Sequence, residues 1–265
     1  MSGDPAGLGP LDVLLEAPAA SAVVTDFDGT LAPIVADPEV AAPLPEAPAV
    51  LGALARRFAV VGVVSGRPAS FLAERLAGAG PQLRLVGVYG LEWIEDGELR
   101  HAPEAEAWRE PAAQVVAAAR AAFAGEAVGV EDKGASVTVH WRRAPQAGDR
   151  ARAFARDWAA RTGLVLQPGR RAVELRPPVG IDKGTAVAGL VAACRAACFM
   201  GDDAGDLAAF AALDRLADTG GRAVRVAVGD EESPPELIAA ADLVVRGPAE
   251  AVALLARLAR RAAGG

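Results

Sequence analysis

Five short and almost wholly apolar runs recur along this chain, and alanine-rich stretches of helical length lie between many of them. The runs cover residues 22–25, 60–64, 198–200, 224–228 and 243–245. Apolar runs without polar alternation are typical of strands that are covered on both faces of a parallel sheet. Helices are predicted at residues 45–57, 68–78, 183–195, 206–216 and 248–261. The alternation of strand and helix therefore predicts an α/β fold with a mainly parallel sheet.

The middle of the chain has a different order, helix, strand, strand, repeated once. Its helices are predicted at residues 104–124 and 149–162, and its strands at 127–132, 135–142, 164–167 and 172–176. Polar and apolar residues alternate from Ser136 to Arg142, which predicts a strand with one polar and one apolar face. We therefore predict two domains. Residues 1–103 and 178–265 form the core, and residues 104–177 form an inserted α+β cap with an antiparallel sheet (αββαββ) above a site on the core.

Composition and charge exclude several classes of protein. The chain of 265 residues is 52% hydrophobic, enough to bury a full core, and its formal net charge of −7 argues against binding to nucleic acid. It has no apolar run of membrane-spanning length, and its first basic residue is Arg56, so it lacks the basic region of a secretory signal. We expect a cytoplasmic protein without a membrane partner. Cys194 and Cys198 have no second pair to complete a metal site and are interpreted as reduced, buried thiols.

Three of the predicted core strands are followed directly by polar clusters. The clusters are Asp26-Phe27-Asp28-Gly29-Thr30, Ser65-Gly66-Arg67 and Gly201-Asp202-Asp203-Ala204-Gly205-Asp206. Ligands of open parallel sheets bind beyond the carboxyl ends of the strands, so the three clusters are expected to converge. Three carboxylates within five residues repel one another unless a cation neutralises them, and an oxygen-rich site suits Mg²⁺. The spacing does not match a calcium-binding EF-hand loop.

The two lysines are candidates for sites that need a compact ammonium group. Of the 27 basic residues only Lys133 and Lys183 are lysine, which indicates a background that uses arginine wherever either residue would serve. Lys183 is predicted at the start of a helix, where a cation is electrostatically disfavoured, so a neighbouring anion is expected. A solvated helix-terminal lysine, or chance survival, is the alternative interpretation.

The four motifs together resemble those of the haloacid dehalogenase superfamily: D-F-D-G-T-L, S-G-R, D-K-G and G-D-D-x-x-D. The resemblance implies a Rossmann-like core and a phosphatase. It implies that Asp26 is the nucleophile, Asp28 the general acid and base, and that Ser65 and Lys183 hold the phosphoryl group. It further implies that Asp26, Asp202 and the backbone carbonyl of Asp28 bind Mg²⁺. Asp203 and Asp206 would complete the acidic site, Asp206 by orienting Lys183 or a metal-bound water.

The predicted cap is similar to that of the trehalose-6-phosphate phosphatases within this superfamily. The similarity lies in Glu131-Asp132-Lys133, residues 136–142 and Val173-Glu174-Leu175-Arg176-Pro177, and Tyr89-Gly90-Leu91-Glu92 resembles the segment before the cap. The resemblance implies a sugar phosphate as substrate. The residues expected to bind it are Ser65, Gly66, Arg67, Glu92, Glu131, Lys133, Glu174 and Lys183. Charged side chains suit a polyol because it presents donors and acceptors together; a solvated ion pair is the alternative for the cap residues.

The sequence departs from this family at three positions and leaves other functions open. Tyr89 stands where a histidine is common, and Gly205 and Leu207 replace the usual Thr and Glu of the last motif. The leading hypothesis is hydrolysis of trehalose 6-phosphate, the last step of trehalose biosynthesis. The alternatives are a phosphatase for another sugar phosphate or a glycosylglycerate phosphate, a phosphomutase, and a catalytically silent sugar-phosphate sensor or partner of a trehalose-phosphate synthase. His101 and His140 are assigned structural roles.

Overall fold

The computed structural model describes residues 7–35, 38–169, 171–229 and 233–264, and the chain divides into two compact units. The core unit comprises Met1–Arg100 and Ile181–Gly265, and the insert unit comprises His101–Gly180. The predicted domain boundaries, 103/104 and 177/178, fall within three residues of these divisions.

Strands and helices alternate through most of the described residues. The strands are β1 Ser21–Thr25, β2 Val60–Val64, β3 Arg84–Gly87, β4 Glu92–Glu95, β5 Glu98–His101, β6 Gly129–Asp132, β7 Val137–His140, β8 Val165–Gly169, β9 Ala172–Arg176, β10 Ala196–Gly201, β11 Arg222–Gly229 and β12 Leu243–Arg246. The helices are α1 Ala47–Ala55, α2 Ala69–Arg75, α3 Pro103–Glu106, α4 Arg109–Ala122, α5 Gly148–Thr162, α6 Lys183–Val191, α7 Leu207–Asp218, α8 Pro235–Ala240 and α9 Gly247–Gly264.

The core sheet has the strand order β12-β11-β10-β1-β2-β3-β4-β5, and all its pairs from β12 to β3 are parallel. Strand β1 lies at the centre, and its five residues are all buried. Val23 packs into an apolar cluster with residues of α1 and α9, whereas Val24 packs into a second cluster with residues of α6 and α7. The sheet is therefore covered on both faces, and the predicted α/β fold is confirmed.

The insert unit contains an antiparallel sheet with the order β6-β7-β9-β8. The apolar side chains of β7, Val137 and Val139, pack with Val115 of α4 and Ala151 of α5. The predicted alternation along β7 is correct, because these residues face the helices while Thr138 lies in the row Glu131, Thr138, Glu174 across the other face.

Two features of the fold differ from the sequence predictions. The helix predicted from residue 104 to 124 is two helices, α3 and α4, because Pro111 has no N–H to donate and its ring would clash with the Ala107 carbonyl in a continuous helix. Strands β3 to β5 and helix α8 were not predicted. The hairpin between β4 and β5 turns at Asp96 and Gly97, which both have positive φ. An Asp-Gly pair in this conformation is typical of two-residue hairpin turns. None of the described helices is long and apolar enough to cross a membrane.

Candidate active site

The three polar clusters meet because they follow three adjacent strands. Strand β1 pairs with β10 on one side and with β2 on the other, all parallel, so their carboxyl ends lie at the same edge of the sheet. The ladder extends one residue past β1, since the Asp26 N–H donates to the Met200 carbonyl at 2.8 Å. Asp26 and Ser65 are both buried, at 4% and 2% exposure. The convergence predicted from the sequence is therefore present in the fold.

Three carboxylates gather at this edge. Asp26, Asp202 and Asp206 each offer an oxygen, and these atoms all lie within 4.8 Å of one another. Gly29 permits the gathering, because its φ is +75° and a Cβ at this position would lie 2.1 Å from Oδ2 of Asp202. A side chain at residue 29 would displace the Asp202 carboxylate.

Lys183 is the cation within this acidic group. Its Nζ donates to Oδ1 of Asp206 at 2.7 Å and lies 3.0 Å from Oδ2 of Asp26. Asp203 is more distant, at 3.9 Å from the same nitrogen. Lys183 is the first residue of α6, and a reciprocal capping box between Asp182 and Thr185 fixes that helix start. Because α6 begins at Lys183, the side chain of this residue reaches Asp26 and Asp206.

Asp206 is held as a structural anchor as well as a partner of Lys183. Its Oδ2 accepts from the backbone N–H groups of Asp202 at 2.9 Å and Asp203 at 3.0 Å. Asp203 in turn accepts from the Gly205 N–H at 2.8 Å, and its side chain is exposed. The predicted orientation of Lys183 by Asp206 corresponds to a direct hydrogen bond, and Asp206 also joins the group of possible metal ligands.

Burial and mutual repulsion dominate the electrostatics of these acids. Burial raises the pKa of Asp26 well above its usual value, and the neighbouring acids raise it further although Lys183 acts in the opposite direction. Burial and then Asp206 raise the pKa of Asp202 to about 8, and burial raises that of Asp206 to about 6. Burial lowers the pKa of Lys183, but Asp206 and Asp26 outweigh it, so this pKa is raised well above the ordinary lysine value. Lys183 stays charged, and one cation does not neutralise the group.

The chemistry of this donor set fits a divalent cation. Mg²⁺ prefers carboxylate oxygens and binds through one or two of them, together with water or phosphate oxygens. Asp26 and Asp202 provide two such oxygens at the ends of adjacent strands, and their raised pKa values are what uncompensated, buried carboxylates give. The described residues therefore suit the predicted Mg²⁺ site.

Asp28 points to a different partner. Its two carboxylate oxygens accept from Nε of Arg67 at 2.7 Å and from Nη2 at 2.8 Å. The same guanidinium donates to the Pro38 carbonyl at 2.9 Å and lies over the ring of Phe71 at 5.0 Å. The sequence predicted a substrate-binding role for Arg67 and did not predict this bidentate pair. In this arrangement Arg67 orients the side chain predicted to be the general acid and base.

Glu92 also has a partner that the sequence did not reveal. Its Oε1 accepts from the Ala69 N–H at 2.5 Å, so this carboxylate caps the start of α2, the helix that follows the Ser65-Gly66-Arg67 loop. Glu92 is buried, with 6% exposure. This contact supports the loop, and the binding of substrate by Glu92 stays a prediction.

The charged residues predicted in the insert lie on the polar side of its sheet and are paired with one another. Glu174 accepts from Ser136 Oγ at 2.9 Å and pairs with Lys133 Nζ at 3.4 Å. Glu131 pairs with His140 at 3.0 Å. Lys133 and Glu174 are buried, at 7% and 5% exposure. The sequence predicts only a structural role for His140. The alternation of residues 136–142 nevertheless predicts that His140 lies on the same face as the other polar groups, where it pairs with Glu131.

Comparisons with known proteins decide the family. The sequence profile described as Trehalose-phosphatase matches residues 24–237. A probable trehalose-phosphate phosphatase of Sinorhizobium fredii is 33% identical over 216 residues, which is 77% of this chain and 77% of that protein. The chain belongs to the trehalose-phosphatase family. Membership confirms the predicted resemblance and makes the chain a phosphatase by class.

Other relatives agree with this assignment. The trehalose-phosphate phosphatase of Mycobacterium marinum is 34% identical over 203 residues, 72% of this chain but only 51% of that longer protein. A solved structure titled as the C-terminal domain of trehalose-6-phosphate phosphatase from C. albicans has a TM-score of 0.75 and covers 95% of each chain at 21% identity, which shows the shared fold. The chain thus spans about half the length of the mycobacterial relative.

Proposed function

We propose that this chain hydrolyses trehalose 6-phosphate to trehalose and phosphate through a phosphoryl-aspartate intermediate on Asp26. The observation that carries the proposal is the cluster of Asp26, Asp202, Asp206 and Lys183 in a member of the trehalose-phosphatase family. A buried acid that lies 3.0 Å from an ammonium group is suited to approach a phosphate dianion, because the ammonium offsets the repulsion between the two anions.

In the first step of the proposed reaction, an oxygen of Asp26 forms a bond to phosphorus, and the bond from phosphorus to the sugar oxygen breaks. Asp28 gives its proton to that leaving oxygen. In the second step Asp28 takes a proton from a water molecule, which attacks phosphorus and releases Asp26 and inorganic phosphate. The covalent intermediate divides one difficult displacement into two easier ones. Arg67 would hold Asp28 in place for these transfers, because its guanidinium occupies one lone pair of each oxygen and leaves the others available to the proton.

Ser65, Gly66 and Lys183 would bind the transferring phosphoryl group. Ser65 is buried at the end of β2, and Lys183 is held beside Asp26 by Asp206. Asp26 and Asp202, with the backbone carbonyl of Asp28, would hold Mg²⁺, and Asp203 and Asp206 would support the site from outside. When bound, Mg²⁺ supplies positive charge that stabilises the oxygens of the transferring group.

The insert unit would recognise the sugar. Glu131, Lys133 and Glu174 share a sheet face, and their side chains are held by neighbours rather than extended into solvent. Such charged groups discriminate strongly between polyols, because a wrong sugar leaves buried donors and acceptors without partners. Arg67 and Glu92 are also proposed to contact the substrate, and Glu92 in addition supports the loop at residues 65–69.

The experiment that tests this function is phosphate release from a panel of sugar phosphates, with Mg²⁺ and with a chelator. The expected result is selective, chelator-sensitive release from trehalose 6-phosphate. Equal rates on glucose 6-phosphate would contradict the substrate, and release that continues in chelator would contradict the metal.

A phosphatase for another sugar phosphate, such as a glycosylglycerate phosphate, is the second candidate. Tyr89, Gly205 and Leu207 differ from residues common in the family, and Tyr89 contacts the loop at Gly66. The same substrate panel separates the two candidates. A phosphomutase would require a sugar bisphosphate and release little phosphate, and a silent binding partner would release none.

Two further proposals, a partner and a location, follow from this function. The substrate is a phosphorylated disaccharide, so a glycosyl transfer to a sugar phosphate must supply it, and we infer functional coupling to a trehalose-phosphate synthase. We also propose that both enzymes act in the cytoplasm. Faster trehalose formation when the two enzymes are mixed than when the synthase product is added separately would support direct coupling. Equal rates would restrict the relation to a shared intermediate.

A further inference from the structure

The connection between β3 and β4 contains two consecutive residues in left-handed backbone. Val88 has a φ of 46° and Tyr89 a φ of 60°. Neither residue is glycine, asparagine or aspartate, which accept this conformation most readily, and a β-branched residue such as Val88 is a genuine outlier there. Strained backbone persists only where surrounding structure holds it, and it clusters at functional sites.

This turn is bonded to the loop that follows β2. The N–H of Tyr89 donates to the Ser65 carbonyl at 2.9 Å, and the N–H of Val88 donates to the Arg67 carbonyl at 2.9 Å. These two bonds require both N–H groups to face the loop. The Ser65 N–H also donates to the Val86 carbonyl at 3.0 Å, so the strained turn continues the pairing of β2 with β3 into the loop.

The bond to Ser65 fixes the direction of the next N–H along the chain. In a trans peptide the carbonyl and the N–H point to opposite sides, and none of the described peptide bonds is cis. Because the Ser65 carbonyl points at Tyr89, the Gly66 N–H of the same peptide unit points away from the turn. The loop thus presents this donor on the side that the turn does not cover.

The Tyr89 ring packs directly on the same peptide unit. A Cβ built on Gly66 would lie 2.6 Å from both Cζ and Oη of Tyr89, so only glycine fits beneath the ring. The residues on either side of the turn also lie close to the loop: Glu92 accepts from the Ala69 N–H, and a Cβ on Gly87 would lie 2.2 Å from that same nitrogen. The turn and its flanking residues therefore approach residues 65–69 at several points.

We propose that Tyr89 is a positioning residue that holds the Gly66 N–H in the direction in which it donates to an oxygen of the phosphoryl group. The proposal rests on the proposed function, which assigns the loop at residues 65–67 to that group. The left-handed backbone brings the Tyr89 N–H to Ser65, and the ring prevents rotation of the Ser65-Gly66 peptide. Backbone N–H donors fixed before the reaction stabilise developing negative charge without reorganisation.

The test is binding of inorganic phosphate, measured by calorimetry in the presence of Mg²⁺, on the parent and on Tyr89→Gly. The variant keeps a residue that tolerates positive φ but removes the ring and frees the backbone. We expect at least about tenfold weaker phosphate binding, because a hydrogen bond to a charged group is lost or misdirected. Asp96→Gly is the matched control, since exposed Asp96 has a φ of 52° in the hairpin turn outside the site. It is expected to bind phosphate as the parent does.

Three further variants keep the test decisive. Tyr89→Phe retains ring and backbone and is expected to restore binding to within about threefold, and Tyr89→Asn replaces Tyr89→Gly if the latter does not fold. Gly66→Ala should weaken binding strongly in the parent but by much less in the Tyr89→Gly background, where the added methyl group has room. Equal phosphate affinity in parent and Tyr89→Gly, or additive losses in the double variant, would overturn the positioning role. Failure of the parent to bind phosphate would overturn the proposed function as well.

Discussion

The acidic group of the core unit and the charged face of the insert unit use similar residues under opposite electrostatic conditions. In the core, oxygens of Asp26, Asp202 and Asp206 lie within 4.8 Å of one another, Lys183 pairs with Asp26 and Asp206, and the pKa values of the three acids are raised. In the insert, the acid Glu174 has the ammonium of Lys133 as its partner, and Glu131 has the imidazole of His140. The core group therefore has more carboxylates than ammonium groups, whereas the insert pairs one acid with one basic side chain at each of these two positions.

This difference suggests a catalytic role for the acidic group of the core unit and a binding role for the charged face of the insert unit. An excess of buried negative charge is energetically costly unless a ligand neutralises it, so the core group is suited to a metal ion and a phosphoryl transfer. Paired side chains with fixed donors and acceptors are suited to a neutral, hydroxyl-rich molecule. Four predictions test this contrast.

The largest effect is expected for Asp26→Asn, which removes the nucleophile and keeps the shape of the side chain. Phosphate release should fall by about ten thousandfold or more, since an amide does not form the phosphoryl intermediate. The assay is release from trehalose 6-phosphate and from 4-nitrophenyl phosphate, with Asp218→Asn, an exposed acid at the end of α7, as the matched control. Activity within tenfold of the parent would contradict the assignment.

The next effect is expected for Lys183→Met, which leaves the acids of the core group without their ammonium partner. Removal of one partner from a buried ion pair destabilises a protein by about 3–5 kcal/mol, and phosphate release should also be lost. Chemical denaturation measures the first effect. The same measurement on Lys133→Met in the insert is expected to give a smaller loss, because that change leaves one acid without its ammonium partner rather than two. An equal loss in both would remove the contrast between the two regions.

The stability of the protein should depend on pH in the direction set by the raised acids. The pKa values of Asp202 and Asp206, about 8 and about 6 when folded, exceed the ordinary value of 3.8, so the folded state binds protons that the unfolded chain has released. The stability that these two groups contribute is therefore fully present below about pH 4, begins to fall above it, and is lost by about pH 6 for Asp206 and about pH 8 for Asp202, while Lys183 stays charged in both states. In the presence of a chelator we expect a loss of about 4 kcal/mol between pH 5 and pH 8, because one such group changes stability by about 1.4 kcal/mol per pH unit.

Mg²⁺ should reduce that loss, because a bound cation favours the charged carboxylates that the folded state otherwise resists. Denaturant unfolding at both pH values, with Mg²⁺ and with chelator, measures the difference. Stability that rises with pH in chelator would show that the acids are already compensated without a metal.

The smallest effect is expected for Glu174→Gln in the insert, which keeps the packing but removes the partner charge of Lys133. The kcat/KM for trehalose 6-phosphate should fall about tenfold while that for 4-nitrophenyl phosphate stays within about twofold. Glu110→Gln, an exposed acid on α4, is the matched control. Parallel losses on both substrates would mean that this face does not read the sugar.

The sequence was sufficient to predict which clusters meet, because parallel strands bring their carboxyl ends to one edge. Asp26, Ser65 and Asp202 could be located in this way from the apolar runs that precede them. Side-chain partners could not be predicted, since they depend on rotamers and distances between distant segments. The bidentate pair of Asp28 with Arg67 and the cap that Glu92 provides to Ala69 are of this kind.

Local strain was equally hidden from the sequence. Nothing in a Val-Tyr pair indicates positive φ, so the turn at Val88 and Tyr89 cannot be predicted, whereas the Asp96-Gly97 pair is itself a sequence signal for a hairpin turn. The break between α3 and α4 has a sequence signal, Pro111, which is the third residue of α4 and so lies in the first turn, where a missing N–H costs no intrahelical hydrogen bond.

The most direct test of the account is to search for the phosphoryl group on the protein itself. The enzyme is mixed with trehalose 6-phosphate and Mg²⁺, quenched in acid within the first turnovers, and digested for mass spectrometry. The account predicts one added phosphoryl group on the peptide that contains Asp26, and its disappearance in Asp26→Asn. A protein that releases phosphate but carries no label on that peptide would contradict the central claim.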